Sequence, residues 1–229
     1  MYRVLITGDI HPNGLKKLEQ ERDIEFQFSP DLPYEDVLRI IQPFHCILSR
    51  SETRVNKEMI EAAPELKVIA RAGVGVGNID VEYATERGIL VINTPGKNTN
   101  SAAELTMGLL LSAFRKIVPA HQSMQSLNWD RHRFNGGELM NKCLGIIGLG
   151  NVGHRVARYA KAFDMKVQAF DPYLADEVFE RHGVQKVDWI TLLNTSDVIT
   201  FHVPLNDETP VSYTHLRAHE TRGNLVCRL

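Results

Sequence analysis

A glycine-rich turn at residues 148–153 constrains the fold of this chain more than any other feature. It follows a short apolar run, residues 144–147, and precedes a stretch with helical periodicity. In its G-x-G-x-x-G pattern, Gly148 permits a tight turn, Gly150 lets the backbone approach a ligand, and Gly153 lets the helix pack closely against the strand. The pattern therefore predicts the strand, turn and helix that begin a parallel α/β unit.

The same turn predicts a site for a dinucleotide. The N-terminus of the following helix offers free N–H groups and the positive end of its dipole to a pyrophosphate. Asp171 ends the next apolar run, 18 residues after Gly153, which is close to the spacing of roughly 20 residues expected for a ribose-binding acid. A carboxylate there favours the free ribose hydroxyls of NAD over the extra phosphate of NADP. The alternative is a tight turn between strand and helix that binds no ligand.

The charge and cysteine content favour a protein that acts on small molecules. The 229 residues carry 26 basic and 28 acidic side chains, a net charge of −2, so no electrostatic field favours nucleic acid or an anionic membrane. Three scattered cysteines, Cys46, Cys143 and Cys227, form neither a disulfide framework nor a metal-ligand set. No apolar run approaches the ~18 residues of a membrane span, and no targeting segment is visible. We therefore expect a cytoplasmic protein without a nucleic-acid, membrane or metal partner.

Segments with strand and helix periodicity alternate along the chain. In the first half the predicted strands are residues 3–7, 24–28, 46–49, 67–70 and 90–92, and the predicted helices are residues 14–22, 34–41, 56–63 and 81–87. In the second half the predicted strands are residues 144–148, 166–170 and 197–202, and the predicted helices are residues 152–163 and 187–193. Such alternation predicts parallel sheets with helices on both faces. Because the pattern restarts at residue 144, we expect two α/β domains.

Residues 101–118 predict a long helix between the two halves. Ser101 and Glu104 have the spacing of a capping box, which predicts that the helix begins at Ser101. The helix is apolar nearly all round, so several of its sides should be buried. It could lie between domains or between subunits, or it could be an ordinary core helix. We expect a homodimer formed through it.

With these features placed, the chain resembles the D-2-hydroxyacid dehydrogenase family from about Arg3 to Thr209. The segments that carry the resemblance are residues 71–80, 93–99 and 129–139, the glycine-rich turn, Asp171 with Pro172, and residues 202–205. The resemblance implies an α/β fold with two parallel sheets. An N-terminal flavodoxin-like domain, residues 1–97, would bind substrate, and a partial Rossmann domain, residues 98–209, would bind NAD.

The resemblance also implies which residues bind the substrate and NAD. A small 2-hydroxy acid would be held by Arg50, Ser51, Val74, Gly75 and Asn98. The guanidinium suits this role because its fork matches a phosphate or carboxylate bidentately. NAD would be held by Val74, Gly148, Gly150, Asn151, Val152, Gly153, Asp171, His202, Val203 and Pro204. The alternatives are a solvated surface arginine at Arg50 and a plain strand-to-helix turn at residues 73–76.

No residue of this chain is assigned a catalytic role. Hydride transfer from a 2-hydroxy acid needs an arginine for the carboxylate and a histidine, tuned by a carboxylate, for the hydroxyl proton. The family carries these three groups in a region expected beyond Leu229. Residues 210–229 depart from the family pattern and are interpreted as an aberrant tail, disordered or irregularly helical. Within the tail, Arg222 follows Thr209 too closely to be the family's arginine, and His215 and His219 lack a third metal ligand.

The resemblance implies NAD-dependent oxidation of a D-2-hydroxy acid. Residues 129–139 favour 3-phospho-D-glycerate, whose oxidation to 3-phosphohydroxypyruvate begins serine biosynthesis. Two alternatives remain open. One is a glyoxylate or hydroxypyruvate reductase of the same family, and the other is a non-catalytic NAD-binding regulator. In each case we expect the 229-residue fragment itself to be inactive.

Overall fold

The computed structural model describes residues 1–203 and the backbone of residues 225–227. The chain divides into an N-terminal unit, Met1–Asn98, and a C-terminal unit, Thr99–Leu229. Each unit is built on a parallel sheet flanked by helices, which confirms the α/β fold class that the alternating pattern predicts.

The N-terminal unit contains a five-stranded sheet in the order β2-β1-β3-β4-β5, with every pair parallel. This is the order of flavodoxin-like sheets, in which the chain reverses its direction of travel across the sheet between β1 and β3. The elements in chain order are β1 (Tyr2–Ile6), α1 (Pro12–Glu19), β2 (Ile24–Phe28), α2 (Tyr34–Ile40), β3 (Cys46–Ser49), α3 (Lys57–Glu61), β4 (Val68–Arg71), α4 (Val81–Glu86) and β5 (Leu90–Ile92).

The core of the N-terminal unit forms on one face of its three central strands. Leu5, Ile47 and Ile69 come from β1, β3 and β4 and are fully buried. They belong to one apolar cluster with Val37 of α2 and Met59 of α3. Side chains of that size stabilise a fold by about 1.5–3 kcal/mol each when fully buried. This cluster therefore fixes the strands whose carboxyl ends carry the predicted substrate-binding loops.

The C-terminal unit contains a second five-stranded parallel sheet, in the order β10-β9-β6-β7-β8. The sequence did not predict α8 or β8, and the short strand β10 comes from the segment interpreted as an aberrant tail. The elements in chain order are α5 (Thr99–Phe114), α6 (Ile117–Gln125), β6 (Cys143–Ile147), α7 (Gly153–Ala162), β7 (Lys166–Phe170), α8 (Asp176–His182), β8 (Gln185–Lys186), α9 (Trp189–Thr195), β9 (Val198–Phe201) and β10 (Leu225–Cys227).

The prediction of a single helix over residues 101–118 is wrong. The helix α5 begins at Thr99, so Ser101 lies inside it and does not cap it. The helix ends at Phe114, and Lys116 adopts a left-handed conformation with φ 52° before α6 begins. The physical reason is Pro119, because in a continuous helix its ring would clash with the carbonyl of residue 115. The break moves Pro119 into the first turn of α6, where a missing N–H costs nothing.

Within the single chain, one side of this segment is buried, and its burial between subunits stays a prediction. Ala103, Met107 and Leu110 of α5 are buried in the core of the C-terminal unit. Leu105 and Leu109 are 55% and 39% exposed. In the single chain, the helix is therefore covered along one side. Among the described residues, no helix combines the length and the apolar character needed to cross a bilayer.

Candidate dinucleotide-binding site

The glycine-rich turn lies at the carboxyl end of β6, between β7 and β9. From β6 the chain passes to β7 and β8 on one side of the sheet and returns to β9 on the other, so the turn occupies the topological switch point. Backbone hydrogen bonds anchor it on both sides: the Gly148 N–H donates to the Phe170 carbonyl at 2.9 Å, and the His202 N–H donates to the Ile147 carbonyl at 2.8 Å. In open α/β sheets the crevice at this point is where ligands bind.

Gly148 occupies a position that no other residue could take without strain. Its φ is 90°, a conformation that side chains with a Cβ rarely adopt. A Cβ there would also lie 2.8 Å from Val203 Cγ1 and 2.9 Å from the carbonyl carbon of His202. The turn and the end of β9 are therefore in direct contact.

Gly153 and Gly150 serve different purposes in the same turn. A Cβ at Gly153 would collide with the Gly148 carbonyl oxygen and lie 3.3 Å from Ile146 Cγ2, so Gly153 lets α7 begin directly against β6. A Cβ at Gly150 would meet nothing within 4 Å. The space in front of Gly150 is open, as a ligand that approaches the backbone requires.

The start of α7 presents backbone N–H groups that have no partner within the described part of the chain. These are the amides of Gly150, Asn151 and Val152, and no side chain caps the helix. The carbonyl of Gly150, in contrast, accepts from the His154 N–H at 3.1 Å and lies 2.8 Å from His154 Nδ1. Free amides combined with the positive end of a ten-residue helix form a site suited to a phosphate.

Asp171 follows β7 and is tied to the glycine-rich turn. Its Oδ2 accepts a hydrogen bond from the Leu149 N–H at 2.9 Å, and its Oδ1 accepts one from the Tyr173 N–H at 3.1 Å. An ionised carboxylate has about four acceptor positions, so roughly two remain for other donors. The side chain is held beside the turn in an orientation from which it can accept hydrogen bonds from a diol.

His202 and Val203 follow β9 and close the other side of the turn. His202 Nε2 lies 3.1 Å from Thr200 Oγ1, and burial lowers the pKa of His202 to about 4. The ring is therefore neutral at physiological pH and carries no charge toward a phosphate. Pro204, the last residue of the predicted cofactor site, lies outside the described residues, as do Arg222, His215 and His219 of the tail.

Arg50 lies at the corresponding switch point of the N-terminal unit. It follows β3, and its Nη1 donates to the Asp9 carbonyl at 3.2 Å. Gly8 follows β1, and a Cβ there would lie 2.6 Å from Arg50 Cγ. Ser51 is exposed beside it. Arg50 and Ser51 thus lie at the carboxyl end of β3, beside that of β1, where a flavodoxin-like sheet has its crevice.

The loop after β4 carries Val74 and Gly75. Val74 is 37% exposed, and its carbonyl accepts from Asn93 Nδ2 at 2.6 Å. The Gly75 carbonyl accepts from Arg71 Nη1. Asn98 is exposed in the segment after β5, and no hydrogen bond joins it to the other predicted substrate residues in the described structure. The loops after β3, β4 and β5 therefore share one edge of the sheet, while Asn98 stands apart from their contacts.

Sequence reasoning assigned no role to Asn78, which supports the Arg50 loop. Its Nδ2 donates to the Arg50 carbonyl at 2.9 Å and to the Thr53 carbonyl at 2.6 Å. The only available signal in the sequence is that Asn78 belongs to the family-like segment of residues 71–80.

No group of three or more His, Cys, Asp or Glu side chains in residues 1–203 is arranged to hold a metal ion.

Comparison with known proteins identifies the relatives of this arrangement. The family model described as D-isomer specific 2-hydroxyacid dehydrogenase, catalytic domain, matches residues 4–224. The match extends beyond Thr209, where the sequence alone predicts that the resemblance ends. The chain is 47% identical to D-3-phosphoglycerate dehydrogenase of Methanocaldococcus jannaschii over 91% of its own length and 40% of the relative's. It is 40% identical to hydroxypyruvate reductase of Thermotoga maritima, over 91% of this chain and 67% of that protein.

A solved structure supports the same relationship. The crystal structure of NAD+-bound 3-phosphoglycerate dehydrogenase from Entamoeba histolytica superposes with a TM-score of 0.73 and 31% identity, covering 91% of this chain and 64% of that one. The chain spans about 40% of the length of the curated phosphoglycerate dehydrogenases that it matches.

Alanine substitutions at Gly153 and Gly150 give a matched test of the geometry of the glycine-rich turn. We expect Gly153→Ala to destabilise the protein by about 2 kcal/mol or more, because the new methyl collides with a backbone carbonyl. We expect Gly150→Ala to leave the free energy of unfolding within about 1 kcal/mol of the parent, because the space is open and its φ is not positive. Urea unfolding measures both variants. Equal loss of stability in the two would contradict the geometry of the turn.

Proposed function

The chain belongs to the D-isomer specific 2-hydroxyacid dehydrogenase family, and from this membership we propose that the protein oxidises a D-2-hydroxy acid with NAD. We propose 3-phospho-D-glycerate as the substrate and 3-phosphohydroxypyruvate as the product, which would place the reaction at the start of serine biosynthesis. The observation that carries this proposal is the high identity to proteins named phosphoglycerate dehydrogenase, from archaea to mammals.

The chemistry of the glycine-rich turn fits NAD. In the proposed complex, the amides of Gly150, Asn151 and Val152 bind the pyrophosphate, and the open space in front of Gly150 admits it. Asp171 accepts hydrogen bonds from the adenosine ribose, while Leu149 holds its carboxylate in place. When bound, NAD supplies the acceptor for the hydride that leaves carbon 2 of the substrate.

We assign the substrate to the N-terminal unit, residues 1–97, and NAD to residues 98–209. The division between Asn98 and Thr99 supports this assignment. In the N-terminal unit, Arg50 would bind the phosphate or carboxylate, with Ser51 beside it, and the loop at Val74 and Gly75 would contact the carboxylate. Arg50 suits an oxyanion because its guanidinium is always charged and donates two parallel hydrogen bonds.

A second candidate is the reduction of hydroxypyruvate. The relative from Thermotoga maritima carries that name, and the chain covers more of its length than of the phosphoglycerate dehydrogenases. The two reactions differ in whether the substrate carries a phosphate. Arg50 distinguishes the two reactions when it binds the phosphate, because hydroxypyruvate carries none.

The substrate test uses a form of the protein that includes the family's catalytic arginine, carboxylate and histidine. We expect phosphoglycerate to be preferred over unphosphorylated 2-hydroxy acids. We expect Arg50→Ala to lower kcat/KM for phosphoglycerate by about a hundredfold, because a charged bidentate contact is lost. Arg50→Lys keeps the charge but loses the forked guanidinium, so its kcat/KM should lie between those of the parent and Arg50→Ala. Steady-state kinetics on a substrate panel measures this. A preference for hydroxypyruvate that Arg50→Ala leaves unchanged would favour the reductase.

The cofactor test uses the 229-residue chain. We expect it to bind NAD more tightly than NADP and to form no NADH with phosphoglycerate, because the family's arginine, carboxylate and histidine are expected beyond Leu229. Asp171→Ala should weaken NAD binding about ten- to a hundredfold, as expected for the loss of hydrogen bonds to a charged acceptor. Calorimetric titration measures the affinities, with Asp176→Ala as a control at an exposed acid on α8. Measurable turnover or equal affinity for both cofactors would contradict the proposal.

We propose further that two copies of the chain associate through α5. Leu105 and Leu109 are four residues apart, so they lie on the same side of the helix, and both are exposed. Exposed apolar side chains grouped in this way are typical of protein interfaces rather than of free surfaces. A second copy would remove them from water.

Sedimentation velocity tests the homodimer. We expect the protein to sediment as a dimer at micromolar concentration and the double variant Leu105→Lys, Leu109→Lys to sediment as a monomer, because two ammonium groups would have to be desolvated in the interface. Lysine keeps a high helix propensity, so α5 itself should persist. The control is Ile190→Lys on α9, where the side chain is 62% exposed. A monomeric parent protein, or a dimer in the double variant, would rule out this interface.

A further inference from the structure

Thr200 and His202 form a hydrogen-bonded pair at the end of β9, beside the glycine-rich turn. Thr200 is buried in the strand, with 1% of its surface exposed, and its Oγ1 lies 3.1 Å from His202 Nε2. The backbone carbonyl of His202 lies within 3 Å of where a Cβ of Gly148 would be. The backbone of His202 therefore forms part of the wall of the proposed dinucleotide site, and its side chain is hydrogen-bonded to Thr200.

The hydroxyl of Thr200 has one proton, and the burial of the residue decides where that proton goes. Within the described part of the chain, Thr200 Oγ1 has no hydrogen-bond partner other than His202 Nε2. If Nε2 carried a proton and donated to Oγ1, the hydroxyl proton would be buried without an acceptor among the described residues. A buried donor without an acceptor bears the full cost of its desolvation. The hydroxyl therefore donates to Nε2.

This donation fixes the tautomer of the imidazole. A neutral histidine has one protonated and one unprotonated ring nitrogen. Because Nε2 accepts, Nδ1 must carry the proton, and Nδ1 makes no hydrogen bond among the described residues. The ring thus has one N–H without an acceptor among the described residues. The doubly protonated form is disfavoured because burial makes the charged ring costly.

We propose that Thr200 is a positioning residue that holds His202 in the Nδ1–H tautomer, so that the ring presents a neutral N–H donor to an acceptor oxygen of the bound dinucleotide. This inference rests on the proposed binding of NAD. It differs from that proposal in assigning a defined proton to a defined atom. A neutral donor can bind a sugar or phosphate oxygen without the desolvation cost of a buried cation.

The tautomer can be read without any cofactor. Long-range proton–nitrogen correlation spectra of the 229-residue chain at neutral pH distinguish protonated from unprotonated ring nitrogens, and His202→Gln identifies the His202 signals among those of the nine histidines. We expect Nε2 of His202 to be unprotonated and Nδ1 protonated. A protonated Nε2 in the parent protein would overturn the inference outright, whatever the result with NAD.

Two variants then separate positioning from packing. Thr200→Val keeps the shape of the side chain but removes the hydroxyl, so we expect a mixture of tautomers and NAD binding weakened three- to thirtyfold. Thr200→Ser keeps the hydroxyl, so we expect the parent's tautomer and an affinity within about twofold. An unchanged tautomer and affinity in Thr200→Val would overturn the positioning role. If the parent protein fails to bind NAD, the proposed function fails, while the spectra still decide the tautomer.

Discussion

The close approach of three backbone segments around Gly148 is the constraint on which the C-terminal unit depends. The start of α7 touches the Gly148 carbonyl through Gly153, and the end of β9 touches Gly148 through His202 and Val203. Because Gly148 and Gly153 carry no side chains, β6, α7 and β9 meet in one place. The same approach leaves the amides at the start of α7 without hydrogen-bond partners among the described residues. It also brings the carboxylate of Asp171 within reach of the Leu149 N–H. The features proposed to bind a dinucleotide follow from that contact.

A glycine also permits a close approach of chain segments in the N-terminal unit. Gly8 follows β1 and lets the chain after β3 come close to it, as Gly148 does for β6 and β9. Arg50 occupies the space that a Cβ on Gly8 would take. Asn78 then fastens the following loop through the Arg50 and Thr53 carbonyls. In both sheets a glycine stands where the strand order reverses. Such positions are where a parallel α/β sheet opens a crevice, because neighbouring chain segments leave in opposite directions.

The parts of the structure that depend on local patterns were predictable from the sequence. The turn at residues 148–153 is specified by its own glycines, and most strands by short apolar runs. The helix α8 was missed because Phe179 is its only buried side chain, so it has almost no apolar periodicity. The break before α6 is not visible in the apolar pattern, because it depends on the single residue Pro119. The pairs Asn78 with Arg50 and Thr200 with His202 depend on how strands and loops meet in three dimensions, which residue spacing alone does not specify.

The fold of one chain does not bury all of the apolar residues of α5. A helix that is apolar nearly all round is normally buried on all sides, because a partly buried helix needs only a stripe of apolar residues. In the C-terminal unit that stripe is supplied by Ala103, Met107 and Leu110, and the core would be complete with polar residues at positions 105 and 109. The two exposed leucines therefore do not serve the stability of the single unit. Their apolar character is explained if association buries the surface that they form. A second copy of the chain is the partner proposed for that surface.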